Sequence, residues 1–138
     1  MPTPIHILVI DDNETDNLIS QRIIEHHLPS ARINCCTSVR QAVEYMESAE
    51  IGKVESPDLI FLDIEMPVLS GAEFLAYLDQ KAGRFAKDPR VVLLSSYEKA
   101  RNPSFSAPRI LDYLTKPLST QAFDKVLKSL AQSQLKVA

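Results

Sequence analysis

Short apolar runs alternate along the chain with longer stretches in which apolar residues recur every three or four positions. Ile5-His6-Ile7-Leu8-Val9-Ile10, Leu59-Ile60-Phe61-Leu62 and Val91-Val92-Leu93-Leu94 are nearly unbroken and bounded by polar or turn residues. That pattern predicts strands buried on both faces of a sheet. Arg32 to Thr37 alternates more, and Ile110 to Leu114 is short, so both predict edge strands.

Between the strands the period changes to that of helices. Glu14 to Leu28 predicts a helix with Leu18, Ile19, Ile23, Ile24 and Leu28 on its inner stripe. Glu14 and Asp16 suit its N-terminal turn, and Pro29 stops it. His26 and His27 read as solvated residues at its end. Ser38 caps a second helix in which Val39, Ala42, Val43 and Met46 recur at helical spacing. Ser70-Gly71-Ala72-Glu73 has the form of a capping box and opens a third, with Phe74, Leu75 and Leu78, ending near Gly83. The last helix starts at Ser119 and carries Phe123, Val126, Leu127 and Leu130. Tyr97 to Arg109 has no clear period. Pro103 there fits a first helical position after Asn102, and Pro108 leaves space for little more than one turn. This segment is expected to be short, weakly anchored and mobile.

The alternation predicts (βα)₅, a parallel sheet with right-handed crossovers and helices on both faces. With the polar strands at the edges, the strand order is 2-1-3-4-5, the flavodoxin-like arrangement. A chain of 138 residues with no internal linker reads as one domain, 1–138, with no space for an output domain. Its net charge of −3 argues against a nucleic-acid surface. It has no apolar run long enough for a membrane span and no signal peptide at its start, which predicts a cytoplasmic protein. Cys35 and Cys36 are adjacent on a predicted strand. Their side chains should face opposite sides, so neither a structural disulfide nor a metal site is expected.

Four strands end on polar residues with chemical potential. The first ends on Asp11-Asp12-Asn13, the third on Asp63, the fourth on Ser95-Ser96 and the fifth on Thr115-Lys116-Pro117. In the predicted order the first and third strands are neighbours at the switch point, where open α/β sheets bind ligands. Asp11, Asp12 and Asp63 would converge there and repel one another. A hard divalent cation relieves that repulsion, and Mg²⁺ suits a site with few protein ligands. Ser95 and Lys116 add a hydroxyl and a positive charge to the same rim. A phosphoryl group on Asp63 would meet the metal, the ammonium and the hydroxyl together.

On these residues the chain resembles the receiver domain of two-component response regulators. The resemblance spans essentially the whole length. It rests on Asp11-Asp12, on Asp63 followed by Met66-Pro67 and Gly71, on Ser95-Ser96, and on Tyr113 with Lys116-Pro117. It implies that Asp63 accepts a phosphoryl group from the phosphohistidine of a sensor histidine kinase or histidine phosphotransfer protein. It implies that Asp12, Asp63 and the backbone carbonyl of Glu65 bind Mg²⁺, with Asp11 acting directly or through water. Lys116 would pair with the phosphoryl group, Ser95 would move to it, and Tyr113 would turn inward behind. A cis Lys116-Pro117 bond is also implied. Receivers tune phosphoryl lifetime partly through the residues two after the acceptor and two after the Ser/Thr, here Glu65 and Tyr97. Such a module is a signalling phosphoacceptor rather than an enzyme, and it acts through an unidentified downstream protein or a relay.

Two other functions share parts of this pattern. A haloacid-dehalogenase-type phosphohydrolase uses the same groups, but usually has an Asp two residues after its nucleophile. Glu65 stands there, and no insertion is long enough for a cap over a substrate. A flavodoxin-like flavin module needs a phosphate cradle after the first strand, where Asp11-Asp12-Asn13-Glu14 would repel phosphate.

Overall fold

A computed structural model describes residues 4–66, 70–96 and 109–137, with side chains as far as 132. In chain order its elements are β1 (His6–Ile10), α1 (Glu14–His27), β2 (Arg32–Cys36), α2 (Val39–Glu50), β3 (Leu59–Asp63), α3 (Gly71–Gln80), β4 (Arg90–Ser95), β5 (Ile110–Thr115) and α4 (Thr120–Val137). The strands form one parallel sheet in the order β2-β1-β3-β4-β5, as the alternation predicts. The short helical turn expected at Pro103, and Tyr97 with it, lie outside the described residues, as does Pro67.

Strand side chains alternate between two cores. Leu8, Ile10, Ile60, Leu62, Val91 and Leu93 pack with α2 and α3, through Met46, Phe74 and Leu78. Ile7, Val9, Leu59, Phe61, Val92 and Leu94 pack with α1 and α4, through Ile24, Phe123 and Val126. This double burial explains why β1, β3 and β4 read as unbroken apolar runs. The edge strand β2 is mostly exposed, and its adjacent cysteines part as expected, Cys35 outward and Cys36 inward. Among the described residues no helix is long and apolar enough to cross a membrane.

Three expectations need correction. Leu18 and Ile19 are not on the inner face of α1: they are 49% and 37% exposed. Asn17 and Ser20 are buried in their place, beside Ile24, which faces inward as predicted. The cause is polar: the Asn17 side-chain amide donates to the carbonyls of Asp11 (2.9 Å) and Cys36 (3.3 Å), which rotates that side of the helix onto the sheet. The Ser70 side chain makes no cap hydrogen bond, so the capping box does not form. The start of α3 is set by close contact instead. A Cβ on Gly71 would lie 2.9 Å from Ile64 Cα and 3.0 Å from the Asp63 carbonyl oxygen. The cap predicted at Ser38 is present, accepting from the Gln41 amide at 3.1 Å. His27, expected to be solvated, pairs with Asp124 at 3.2 Å and sets its ring edge-on to Phe123.

Candidate functional site

The C-terminal ends of β1, β3, β4 and β5 lie side by side, and the polar residues that end them meet there. Asp11 follows β1 and is buried. Its amide extends the ladder to Cys36 O at 3.0 Å, and its Oδ1 accepts from the Asn13 amide at 2.9 Å. Asp63 ends β3, also buried, and its Oδ1 accepts from the Glu65 amide at 2.9 Å. Both are Asx-type turns, in which a short carboxylate bonds the main chain two residues on. In each, one oxygen is tied down locally and the other is left for the site.

Lys116 takes those remaining oxygens. Its Nζ lies 2.7 Å from Asp11 Oδ2 and 3.2 Å from Asp63 Oδ2. Its position is set by the main chain, since the Lys116 amide donates to Ser95 O at 2.8 Å. The Lys116-Pro117 peptide bond is cis, as the resemblance implied. Asp12 is exposed beside this pair. Asp11, Asp12 and Asp63 each offer one oxygen, and these lie within 4.8 Å of one another. An all-oxygen set of carboxylates, with no sulfur or imidazole, fits a hard cation such as Mg²⁺.

The electrostatics follow from burial and crowding. Burial is the main cause that pushes the Asp63 carboxyl up to about 6; its Glu65 amide bond opposes this, the Asp11 charge adds to it, and Lys116 opposes it. Burial alone would lower the Lys116 ammonium, but the Asp11 hydrogen bond and the charges of Asp63 and Asp11 outweigh it and raise it.

Ser95 ends β4, with its side chain buried and its Oγ donating to Glu65 Oε1 at 2.5 Å. Tyr113 on β5 is half-buried, pairs in register with Leu93, and packs against the core that contains Phe74. Asp11, Asp63, Lys116, Ser95 and Glu65 are thus joined by direct bonds, Asp12 is adjacent, and Tyr113 stands behind. Three contributions are additional to the expected set. Asp16 Oδ2 lies 3.2 Å from Lys116 Nζ. The Glu65 side chain, as well as its main chain, belongs to the site. Asn17 holds the Asp11 carbonyl. In the sequence Asp16 reads only as an acidic residue of the first turn of α1, and Asn17 carries no apolar signal, so neither stands out.

The family model described as response regulator receiver domain matches residues 7–134. An uncharacterized response regulatory protein of Vibrio cholerae serotype O1 is 30% identical over 129 residues, which is 94% of this chain and 49% of that protein. The chain therefore spans about half the length of this relative. A two-component response regulator from Cytophaga hutchinsonii superposes with a TM-score of 0.83 at 23% identity, covering 95% of this chain and 99% of that one. The response regulator TrrA from Thermotoga maritima, solved in complex with Mg(2+)-BeF, is 26% identical with a TM-score of 0.68, covering 91% of this chain and 98% of that one. With the strand-end constellation and a family match over nearly its full length, this chain belongs to the receiver domains of two-component response regulators.

Proposed function

We propose that Asp63 accepts a phosphoryl group from the phosphohistidine of a sensor histidine kinase or histidine phosphotransfer protein. The phosphorylated domain then changes its affinity for a downstream protein. The observation that carries this reading is the placement of Asp63 Oδ2: buried, free of the local turn, and 3.2 Å from Lys116 Nζ. That oxygen forms the new bond to phosphorus, while the phosphorus–nitrogen bond breaks and its electron pair returns to the imidazole. Lys116 stabilises charge on the transferred oxygens, and the Ser95 hydroxyl reports their arrival.

Asp12, Asp63 and the Glu65 carbonyl, with Asp11 direct or through water, would hold Mg²⁺. The metal would neutralise charge between the carboxylates and the incoming phosphoryl oxygens. The three converging carboxylate oxygens support this, as does the likeness to TrrA. On this reading the chain assists only its own phosphorylation and dephosphorylation and turns over no separate substrate. The family match does not favour a phosphohydrolase or a flavin module. The reading goes with a cytoplasmic location and with no nucleic-acid or membrane surface on this domain.

Intact mass tests it. With acetyl phosphate and Mg²⁺ the chain should gain one phosphate, and Asp63→Asn should gain none. Unchanged labelling of the variant would assign the acceptor to another residue.

A further inference from the structure

We propose that Glu65 is a latch on the switch hydroxyl: its carboxylate holds Ser95 in the unphosphorylated protein, and phosphoryl binding has to break that hold. The proposal rests on the reading of Asp63 as phosphoacceptor and adds what Ser95 must leave in order to respond.

The argument is one of donor count. A serine hydroxyl has a single proton to donate. In this structure Ser95 Oγ directs it to Glu65 Oε1 at 2.5 Å. A phosphoryl oxygen on Asp63 is an acceptor only, so it cannot share that proton on equal terms. Ser95 meets the phosphoryl group only by giving up Glu65. Hydrogen bonds to an ionised acceptor are roughly twice as strong as neutral ones. The latch is therefore a competitor of the right strength for a phosphoryl oxygen, which is also charged.

Glu65 is suited to this by position. Its amide grips Asp63 Oδ1 at 2.9 Å while its side chain grips Ser95. One residue thus fixes the acceptor from the main chain and the reporter from the side chain. Glu65 is exposed and Ser95 is buried, so the carboxylate can leave for water once displaced, with no repacking of the core. Glu65 acts through Ser95 and is a positioning residue.

Beryllofluoride titration in saturating Mg²⁺, followed by fluorine NMR, separates this from other roles. The proteins are wild type, Glu65→Gln, Glu65→Ala, Ser95→Ala and the Glu65→Ala, Ser95→Ala double variant. Affinity should rise about tenfold in Glu65→Ala and less in Glu65→Gln, which keeps a weaker neutral bond. In the Ser95→Ala background, Glu65→Ala should change nothing, because the cycle isolates the pair. An equal gain in both backgrounds would reduce Glu65 to a source of charge repulsion and overturn the latch. No gain in either background would overturn it too. Asp63→Asn is the separate control: if it takes up beryllofluoride as well as wild type, the acceptor assignment fails, whatever Glu65 does.

Discussion

Asp63 Oδ2 and Asp11 Oδ2 lie 3.2 and 2.7 Å from a single atom, Lys116 Nζ. One ammonium is divided between two buried carboxylates, and Asp16 takes a further share at 3.2 Å. The site holds more negative than positive charge. That imbalance has measurable consequences.

Asp63→Asn should stabilise the fold at neutral pH. The folded carboxyl titrates at about 6, raised chiefly by burial, whereas an unfolded aspartate titrates near ~3.9. The folded state holds this proton more tightly, so the group costs stability as pH rises through roughly 4 to 6. Thermal unfolding without divalent cations, from about pH 4 to pH 8, should show the variant pulling ahead by roughly 1–3 kcal/mol at the upper end. A difference that stays constant with pH would show that ionisation of Asp63 is not the cause.

Asp12→Ala should weaken Mg²⁺ binding at least about tenfold, since a cation held by few carboxylates loses a main one. Asp12 is exposed, so the fold should keep its stability within about 0.5 kcal/mol. Calorimetric titration with Mg²⁺ measures the first and thermal unfolding the second. Phosphorylation by acetyl phosphate should slow in parallel. Full phosphorylation in excess chelator would sink the metal assignment.

Asp16→Asn should speed phosphorylation by acetyl phosphate roughly two- to fivefold. The Asp16 carboxylate is a third claimant on Lys116 and is one-third exposed, so its loss frees the ammonium at little cost in stability. The rate should lose part of its salt dependence as well, because a like charge facing the incoming anion has gone. A slower variant would mean that Asp16 holds Lys116 in its working position instead.

Gly71→Ala should destabilise the fold by about 1–3 kcal/mol. Alanine ordinarily gains about 1 kcal/mol over glycine inside a helix. Here the added methyl meets backbone, Ile64 Cα at 2.9 Å and Asp63 O at 3.0 Å, and backbone cannot swing aside. Denaturant unfolding decides the sign. A stabilised variant would show that the helix start can back away freely.

The buried strands were legible because β1, β3 and β4 are covered on both faces, and such strands show as bare apolar runs. Asp11, Asp63, Ser95 and Lys116 were legible because each ends such a run. The inner face of α1 was not: periodicity weighs Leu18 and Ile19 but is blind to a buried amide such as Asn17. The roles of Asp16 and of the Glu65 side chain were not legible either. Each depends on a contact between elements far apart in sequence, Asp16 with Lys116 and Glu65 with Ser95. The motif at Ser70 matched a cap by composition, yet the fit of Gly71 against β3 took over its task.

The sheet's hydrogen bonding does not stop at the chemistry. Ile64 N donates to Leu94 O at 3.1 Å, one residue past Asp63, and Lys116 N donates to Ser95 O at 2.8 Å. Asp63, Ser95 and Lys116 therefore share one stitched backbone, and a rearrangement among them falls to their side chains, which exchange one partner for another. Whatever the domain remembers of a phosphorylation event is first written in a few torsion angles. Two states that differ in this way can superpose closely along the main chain and still present different atoms at the rim.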